Sequence, residues 1–263
     1  MLKPPARREQ ILRDIDLLDD NLIPKLSQKY GVSEMTIRRD LQVLESTGLI
    51  RRTHGGAVRW PQTNAEPLVL AREKRQMLAQ PQKAAIAAYA ARELVRDGDS
   101  IVLEGSTTVT GMVSHLGARH DLTVVTNSLF TAEEMRRHLS RSATLLCAGG
   151  ILRPESSTFI GHVAEGFFRE LHVKRLFLSA TGLTLQGGIT DPQMLETQVK
   201  RAMIESASEV IVLIDSTKFG VRSLTRVIDF AEITLLLTDE GAPAEMVAGL
   251  REQGVEVALV PVP

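Results

Sequence analysis

The sequence predicts an α/β protein in two parts: a small, mainly helical N-terminal domain and a larger α/β domain with a mostly parallel sheet. Three observations carry this expectation. The 263 residues exceed one average domain. Short β-branched runs recur after residue 100, and most gaps between them carry helical periodicity. Ahead of them, Trp60-Pro61-Gln62-Thr63-Asn64-Ala65-Glu66-Pro67 sets two prolines among polar residues and marks a boundary. The expected division is a domain over 1–60, a linker over 61–80 and a second domain over 81–263.

Within the first sixty residues, Arg7 to Leu18 reads as a helix, with Ile11, Ile15 and Leu18 at helical spacing. Asn21 can cap a second helix running to Tyr30, with Pro24 in its first turn, where a missing N–H costs little. Gly31 supplies a turn and Ser33 caps a third helix, whose Ile37, Leu41 and Leu44 fall on one face. Gly48 ends it. This is the helix-turn-helix pattern. In such a motif the exposed residues opening the last helix, here Glu34, Met35, Thr36, Arg38 and Arg39, meet base edges in the major groove. Ser33 or Thr36 can donate to a phosphate. Beyond Gly48, two extended pieces around Gly55-Gly56 read as a β-hairpin wing, placing Arg51, Arg52 and Arg59 against a phosphate backbone or minor groove.

Composition narrows the class. Hydrophobic content of 43% and charged content of 24% are ordinary for a soluble globular protein, and 4% aromatic content leaves the core to Leu, Ile, Val and Ala. The single Cys147 excludes an internal disulfide and a cysteine-based zinc site, which fits a reducing cytoplasm. No apolar run approaches a membrane span, and Met1-Leu2-Lys3-Pro4-Pro5 lacks a signal-peptide core, so a cytoplasmic protein without a membrane partner is expected. Net charge is -1, but residues 1–60 carry +3 and the remainder -4, a mildly basic head on an acidic body.

In the larger part, an alanine-rich helix over 81–95 precedes strands at 100–103, 122–126, 144–147, 175–179, 210–214, 233–237 and 255–260. Helical periodicity fills 131–139, 162–171, 195–207 and 244–253. Ligands of such sheets bind at the carboxyl ends of the strands. The loops there are Glu104-Gly105-Ser106-Thr107-Thr108, Thr126-Asn127-Ser128, Gly149-Gly150, Ala180-Thr181-Gly182 and Asp215-Ser216-Thr217-Lys218-Phe219-Gly220, with Gly187-Gly188-Ile189-Thr190-Asp191 following the fourth. Small hydroxyl residues opening a helix after the first strand suit a phosphate. Taken singly, Asp191 also reads as a surface cap, Lys200 as a solvated helix residue, and Asp215 with Lys218 as an ion pair.

The string Val32-Ser33-Glu34-Met35-Thr36-Ile37-Arg38-Arg39-Asp40-Leu41, then Leu44-Glu45, then Gly48-Leu49-Ile50-Arg51-Arg52-Thr53-His54-Gly55-Gly56-Ala57, closely resembles the N-terminal signature of the DeoR family of bacterial regulators. The Gly-Ser-Thr-Thr, Thr-Asn-Ser, Gly-Gly and Asp-Ser-Thr-Lys-Phe-Gly segments resemble its sensor domain, so the likeness spans about Arg7 to Val260. It implies a winged helix-turn-helix that binds double-stranded operator DNA through Ser33, Glu34, Met35, Thr36, Arg38, Arg39, Arg51, Arg52 and His54. It also implies a sensor fold related to ribose-5-phosphate isomerase, glucosamine-6-phosphate deaminase and CoA transferases. A phosphorylated sugar or similar metabolite would be its effector, with Glu104, Ser106, Thr107, Thr108, Asn127, Gly150, Asp191, Lys200 and Lys218 around it. The family pattern in the first loop is Asp-x-Gly-Thr-Thr, and Glu104-Gly105-Ser106-Thr107-Thr108 departs from it in a way that bears on ligand size.

The expected function is a regulator, a repressor of carbohydrate-metabolism genes relieved by its effector, acting as a homo-oligomer (dimer or tetramer), with no cofactor, metal or catalytic residue. The alternative from another class is a sugar-phosphate isomerase or deaminase fused to a DNA-binding head. Its acid and base would have to come from Asp191, Asp215, Glu104 and Lys200, since the six histidines form no triad-like or metal-spaced group. A third is an interaction module whose sheet serves assembly alone; stabilisation by a metabolite would count against it.

Overall fold

The computed structural model describes residues 4–14, 22–46, 50–53, 56–59 and 72–262, and the chain divides into two compact units, Met1–Ala65 and Glu66–Pro263. The first unit runs α1 (Pro4–Asp14), α2 (Leu22–Tyr30), α3 (Glu34–Ser46), β1 (Ile50–Thr53) and β2 (Gly56–Arg59). Proline opens α1 because the first helical turn needs no N–H from it. The i, i+4, i+7 face of α3 turns inward: Ile37, Leu41 and Leu44 close a core with Ile11, Leu26 and Ile50. Gly31 adopts φ +63°, the left-handed conformation that ends α2 and turns the chain into α3. Two buried carboxylates tie the helices together. Asp40 of α3 accepts from Arg7 Nε at 2.6 Å and Arg8 Nε at 2.9 Å; Asp14 pairs with Lys29 at 2.7 Å and accepts the Tyr30 hydroxyl. β1 and β2 pair antiparallel, Ile50 opposite Arg59 and Thr53 opposite Gly56, as the wing requires. The expected helix contacts of Ile15 and Leu18, the Asn21 cap, the Gly48 stop and the wing-tip His54 lie outside the described residues.

The second unit begins with α4 (Arg72–Met77) and α5 (Gln80–Leu94). Residues 72–80, inside the span expected as linker, therefore belong to this unit, and Arg72 is buried in it. There follow β3 (Ser100–Leu103), α6 (Thr107–Thr110), β4 (Thr123–Thr126), α7 (Leu129–His138) and β5 (Thr144–Cys147). A hairpin of β6 (Ile151–Arg153) and β7 (Thr158–Ile160) leads to α8 (His162–Arg169) and β8 (Val173–Leu178). Then come β9 (Gly182–Thr184), β10 (Gly188–Asp191), α9 (Met194–Glu205), β11 (Ala207–Leu213), β12 (Thr225–Ile228), β13 (Leu235–Asp239), α10 (Ala244–Glu252) and β14 (Val257–Val260).

Each of the expected runs supplies one strand of a seven-stranded sheet, ordered β14-β13-β11-β8-β3-β4-β5 and parallel throughout. Period-two alternation sends side chains to two faces. Val102, Leu176, Leu178 and Val212 join Phe168, Val199 and Met203 in one core layer. Ile101, Leu103, Phe177, Ile211 and Leu213 meet Ile86, Ala87 and Ala90 of α5 in the other. Burial on both faces is why these strands read as continuous apolar runs. The sequence reading lacked the β6–β7 hairpin and a three-stranded antiparallel sheet, β12-β10-β9. Those strands are three or four residues long, too short for alternation to register.

Strand order reverses between β3 and β8: β4 and β5 extend the sheet on one side, β11, β13 and β14 on the other. The carboxyl ends of these two strands flank the switch point, where open α/β sheets form a crevice.

Candidate DNA-reading helix and effector crevice

In the first unit the turn into α3 is built by local hydroxyl bonds. Ser27 Oγ donates to Val32 O at 2.6 Å, and Ser33 Oγ accepts the Thr36 N–H at 3.2 Å. Ser33 is thus the expected cap, and its hydroxyl lies 2.9 Å from that of Thr36. The residues after the cap face solvent. Met35 is 74% exposed, Arg39 is exposed, and Arg38 pairs loosely with Glu34 at 3.7 Å, one helical turn away. Met35, Thr36 and Arg39 line a cleft of about 410 Å³ with Pro4, Arg7, Arg8 and Asp40. None of the exposed side chains joins the core of Ile37, Leu41 and Leu44. Arg51 and Arg52 lie on β1, as the wing reading expects. Burial pushes the Asp14 carboxyl up, but hydrogen bonds from Lys29 and Tyr30 outweigh it and hold the group below its ordinary value.

In the second unit the expected loops meet at the carboxyl edge of the sheet. At the switch point stands a buried charge cluster. Lys200 Nζ of α9 donates to Asp191 Oδ2 at 2.6 Å and to Ser179 O at 2.6 Å, and lies 3.3 Å from Glu104 Oε1. All three charged residues are buried, so Asp191 is no surface cap and Lys200 no solvated helix residue. Burial pulls the Lys200 ammonium down, but Asp191 and Glu104 together push it well above its ordinary value. Asp191 Oδ1 accepts the Thr181 N–H at 2.7 Å, and Glu104 Oε2 accepts Ser106 N at 3.0 Å and Ser179 N at 3.4 Å. One buried lysine and two carboxylates therefore fix three loops to one another.

Asn127 extends this bonding to β4: its Oδ1 accepts the Gly105 N–H at 3.2 Å. Gly105 is sterically required, because a Cβ there would sit 2.5 Å from Thr158 Cγ2 and 2.9 Å from Ser128 Cβ. The displaced glycine of this first loop is thus explained by the β7 hairpin packed over it. Ser106 caps α6 by accepting Val109 N at 3.3 Å, and α6 is a single turn continuing as a 3₁₀ segment, Gly111–His115. Thr108 is buried, whereas Ser106 and Thr107 are partly open. Gly150, exposed at φ +126°, sits where a Cβ would approach Ile160 O at 2.9 Å. Asp215 is buried and caps the turn Ser216–Lys218 by accepting Thr217 N at 3.2 Å, while Lys218 is half-buried.

Two residues at this edge escaped the sequence reading. Arg72 is buried against the first loop: its Nη1 donates to Gly105 O at 2.6 Å. Lys83 is buried in the first turn of α5, its Nζ donating to Arg75 O at 2.5 Å. Burial pushes this ammonium down to about 8, against the pull of Asp215 and with the push of Lys218 and Arg75. The signal for Lys83 was a lone lysine in an otherwise alanine-rich face; Arg72 offered none.

Sequence comparison matches a DeoR-like helix-turn-helix domain to residues 7–63 and a DeoR C terminal sensor domain to residues 79–240. The chain belongs to the DeoR family. It is similar to the transcriptional repressor AccR of Agrobacterium fabrum, 34% identical over 90% of this chain and 88% of that one. It is similar to the uncharacterized HTH-type transcriptional regulator YulB of Bacillus subtilis (33%; 97% and 96%) and to the HTH-type transcriptional regulator GolR of Listeria innocua (32%; 97% and 98%). A ribose 5-phosphate isomerase from Plasmodium falciparum overlays on 52% of each chain, with a TM-score of 0.38 and 14% identity, a likeness that says nothing of ligand or activity. This DeoR-family chain is a transcriptional regulator with a DNA-binding head and a small-molecule sensor domain, not an enzyme. No helix among the described residues is long and apolar enough to cross a membrane.

Proposed function

We propose that this regulator is a repressor of carbohydrate-metabolism genes whose grip on double-stranded operator DNA is relieved by a phosphorylated sugar or related metabolite. The observation that carries the reading is that Ser106, Thr107, Asn127, Gly150 and Lys218 all lie in loops that follow strands at the carboxyl edge of one parallel sheet. Partly open hydroxyls and a lysine at that edge suit a phosphate and a polyol. The carboxylates of Glu104 and Asp191 already accept from Lys200 and from backbone N–H groups, so their contribution is to hold the loops rather than to bond the metabolite.

At the other end, Glu34, Met35, Thr36, Arg38 and Arg39 enter the major groove, Ser33 meets a phosphate, and Arg51, Arg52 and His54 reach the backbone or minor groove. The second unit pairs two or more heads so that they grip repeated half-sites, and the metabolite favours an arrangement that mismatches their spacing. A thermal-shift screen of sugar phosphates, followed by gel shifts with those that stabilise the protein, tests this. Thr107→Ala is expected to abolish the metabolite response and leave metabolite-free DNA binding intact. Loss of both would make the loop structural and remove the support for an effector there.

A further inference from the structure

The α4 helix opens at Arg72, directly after residues 60–71 that join this unit to the head in the chain. Its first residue is bonded to a candidate effector loop, and its second turn to α5. At the start, the Arg72 guanidinium grips the first loop and the helix α6 that it opens. Nη1 donates to Gly105 O at 2.6 Å, Nη2 to Thr110 Oγ1 at 2.8 Å, and the guanidinium carbon lies 4.2 Å from the centre of the Phe130 ring. The Thr110 hydroxyl in turn donates to Ser106 O at 2.7 Å, so the arginine holds consecutive carbonyls of the first loop, one directly and one through threonine. Its own N–H donates to Glu155 O at 3.0 Å, in the turn of the β6–β7 hairpin whose Thr158 also lies against Gly105. One turn on, Arg75 O accepts from Lys83 Nζ, and the charges acting on that lysine are Asp215 and Lys218 of the loop after β11, with Arg75. A six-residue helix too short to be stable alone is thus held by the first loop, the β6–β7 turn and Lys83 of α5.

We propose that α4 is the control element of the sensor unit: its seat on the Gly105–Thr108 loop, held by Arg72 and Lys83, sets the DNA affinity of the head. The inference rests on the crevice reading above, since a metabolite at that loop would act through the same bonds. A guanidinium fork that bonds a carbonyl and a hydroxyl at once responds to small loop shifts, whereas a lysine in its place keeps charge and loses the fork. Arg72 and Lys83 are positioning residues in this scheme, because neither needs to touch the metabolite.

The test uses full-length protein and a duplex selected by the wild type from a random library, with no metabolite present. Arg72→Lys and Lys83→Met are each expected to shift the half-saturating protein concentration by about fivefold or more, in the range of typical coupling between sites. Faster amide exchange confined to residues 73–77 is expected in the same variants. Should Arg72→Lys fail to fold, Phe130→Leu, which takes only the ring from under the guanidinium, carries the same expectation. Asp99→Asn is the control: it weakens the ion pairs to Lys174 and Arg175 at the amino end of β3, remote from α4, and should lower Tm without moving duplex affinity. Unchanged duplex binding in the α4 variants, or an equal shift in Asp99→Asn, overturns the proposal. A separate thermal-shift arm with ribose 5-phosphate, glucosamine 6-phosphate and inorganic phosphate addresses the crevice. No stabilisation by any of them counts against the effector reading alone, and the duplex arm still decides the role of α4.

Discussion

Both units bury charge, and they do it with opposite arrangements. In the head, one carboxylate, Asp40, sits between two arginines, and this cluster packs α1 on α3 beside the solvent-exposed face of α3 proposed to read DNA. In the sensor unit, one lysine, Lys200, sits between two carboxylates in the middle of the edge where function is expected. Ser33 apart, the residues that fold the head are therefore not the residues that would read DNA. In the crevice Glu104, Asn127, Asp191 and Lys200 hold together the very loops that would meet the metabolite. Substitutions at the exposed residues of α3 should separate binding from stability, and substitutions of these four loop-holding residues should not.

The strongest way to break that contrast is Lys200→Met. It leaves Glu104 and Asp191 buried without their shared cation, and removing one partner of a buried ionic cluster typically costs about 3–5 kcal/mol. Urea unfolding should show a loss of that order. Adding Glu104→Gln and Asp191→Asn should return part of it, since neutral groups of like shape need no counterion. If Lys200→Met is as stable as the wild type, the cluster is not what holds the loops.

A smaller effect should come from Lys83. Its folded pKa lies near 8 against an ordinary 10.5, so between those values the folded chain binds fewer protons than the unfolded one. The cost of keeping the buried amine charged is then fully present below pH 8, and stability from this group rises as pH climbs toward 10.5. The span corresponds to roughly 3 kcal/mol as an upper bound. Relative to the wild type, Lys83→Met should therefore be more favourable at pH 7 than at pH 10, as read from denaturant midpoints at both. A difference that does not change with pH would place the titration elsewhere.

The contrast also explains what the sequence made legible. The core face of α3, its Ser33 cap and the Gly31 turn are local patterns, and all stand as expected. The seven parallel strands announced themselves as apolar runs because both faces are buried. What stayed hidden depends on distant chain segments. Asp191 and Lys200 looked like surface residues singly, and only the meeting of β10 and α9 with Glu104 of the loop after β3 buries them together. Arg72 fell in a stretch that composition marked as linker, and its role comes entirely from the loop it grips over thirty residues away. The Gly105 position had a visible oddity, a glycine displaced from the family pattern, but its reason lies in Thr158 of an unexpected hairpin.

Arg38→Ala should leave head stability nearly unchanged, because the side chain is exposed and its pair with Glu34 is a loose surface contact. Specific duplex affinity should fall by about 1–3 kcal/mol if Arg38 reads a base, with relaxed preference at one position. Competition binding on a library of single-site variants measures both. Equal loss on every sequence would make Arg38 a phosphate contact instead.

Ser33 offers the smallest and sharpest test, since one hydroxyl is asked to do two jobs. As a cap it accepts the Thr36 N–H, and Ser33→Ala should cost about 1 kcal/mol of head stability. As a phosphate donor it should also contribute to DNA affinity, so the alanine variant alone does not separate the roles. Ser33→Asp does. Aspartate caps as well as serine and favours the helix N-terminus, so head stability should recover. Yet it places a negative charge beside the phosphate it would face, and duplex binding should weaken further, more so at low salt. If affinity recovers along with stability, Ser33 only caps α3, and the separation of folding from reading in the head extends to its first residue.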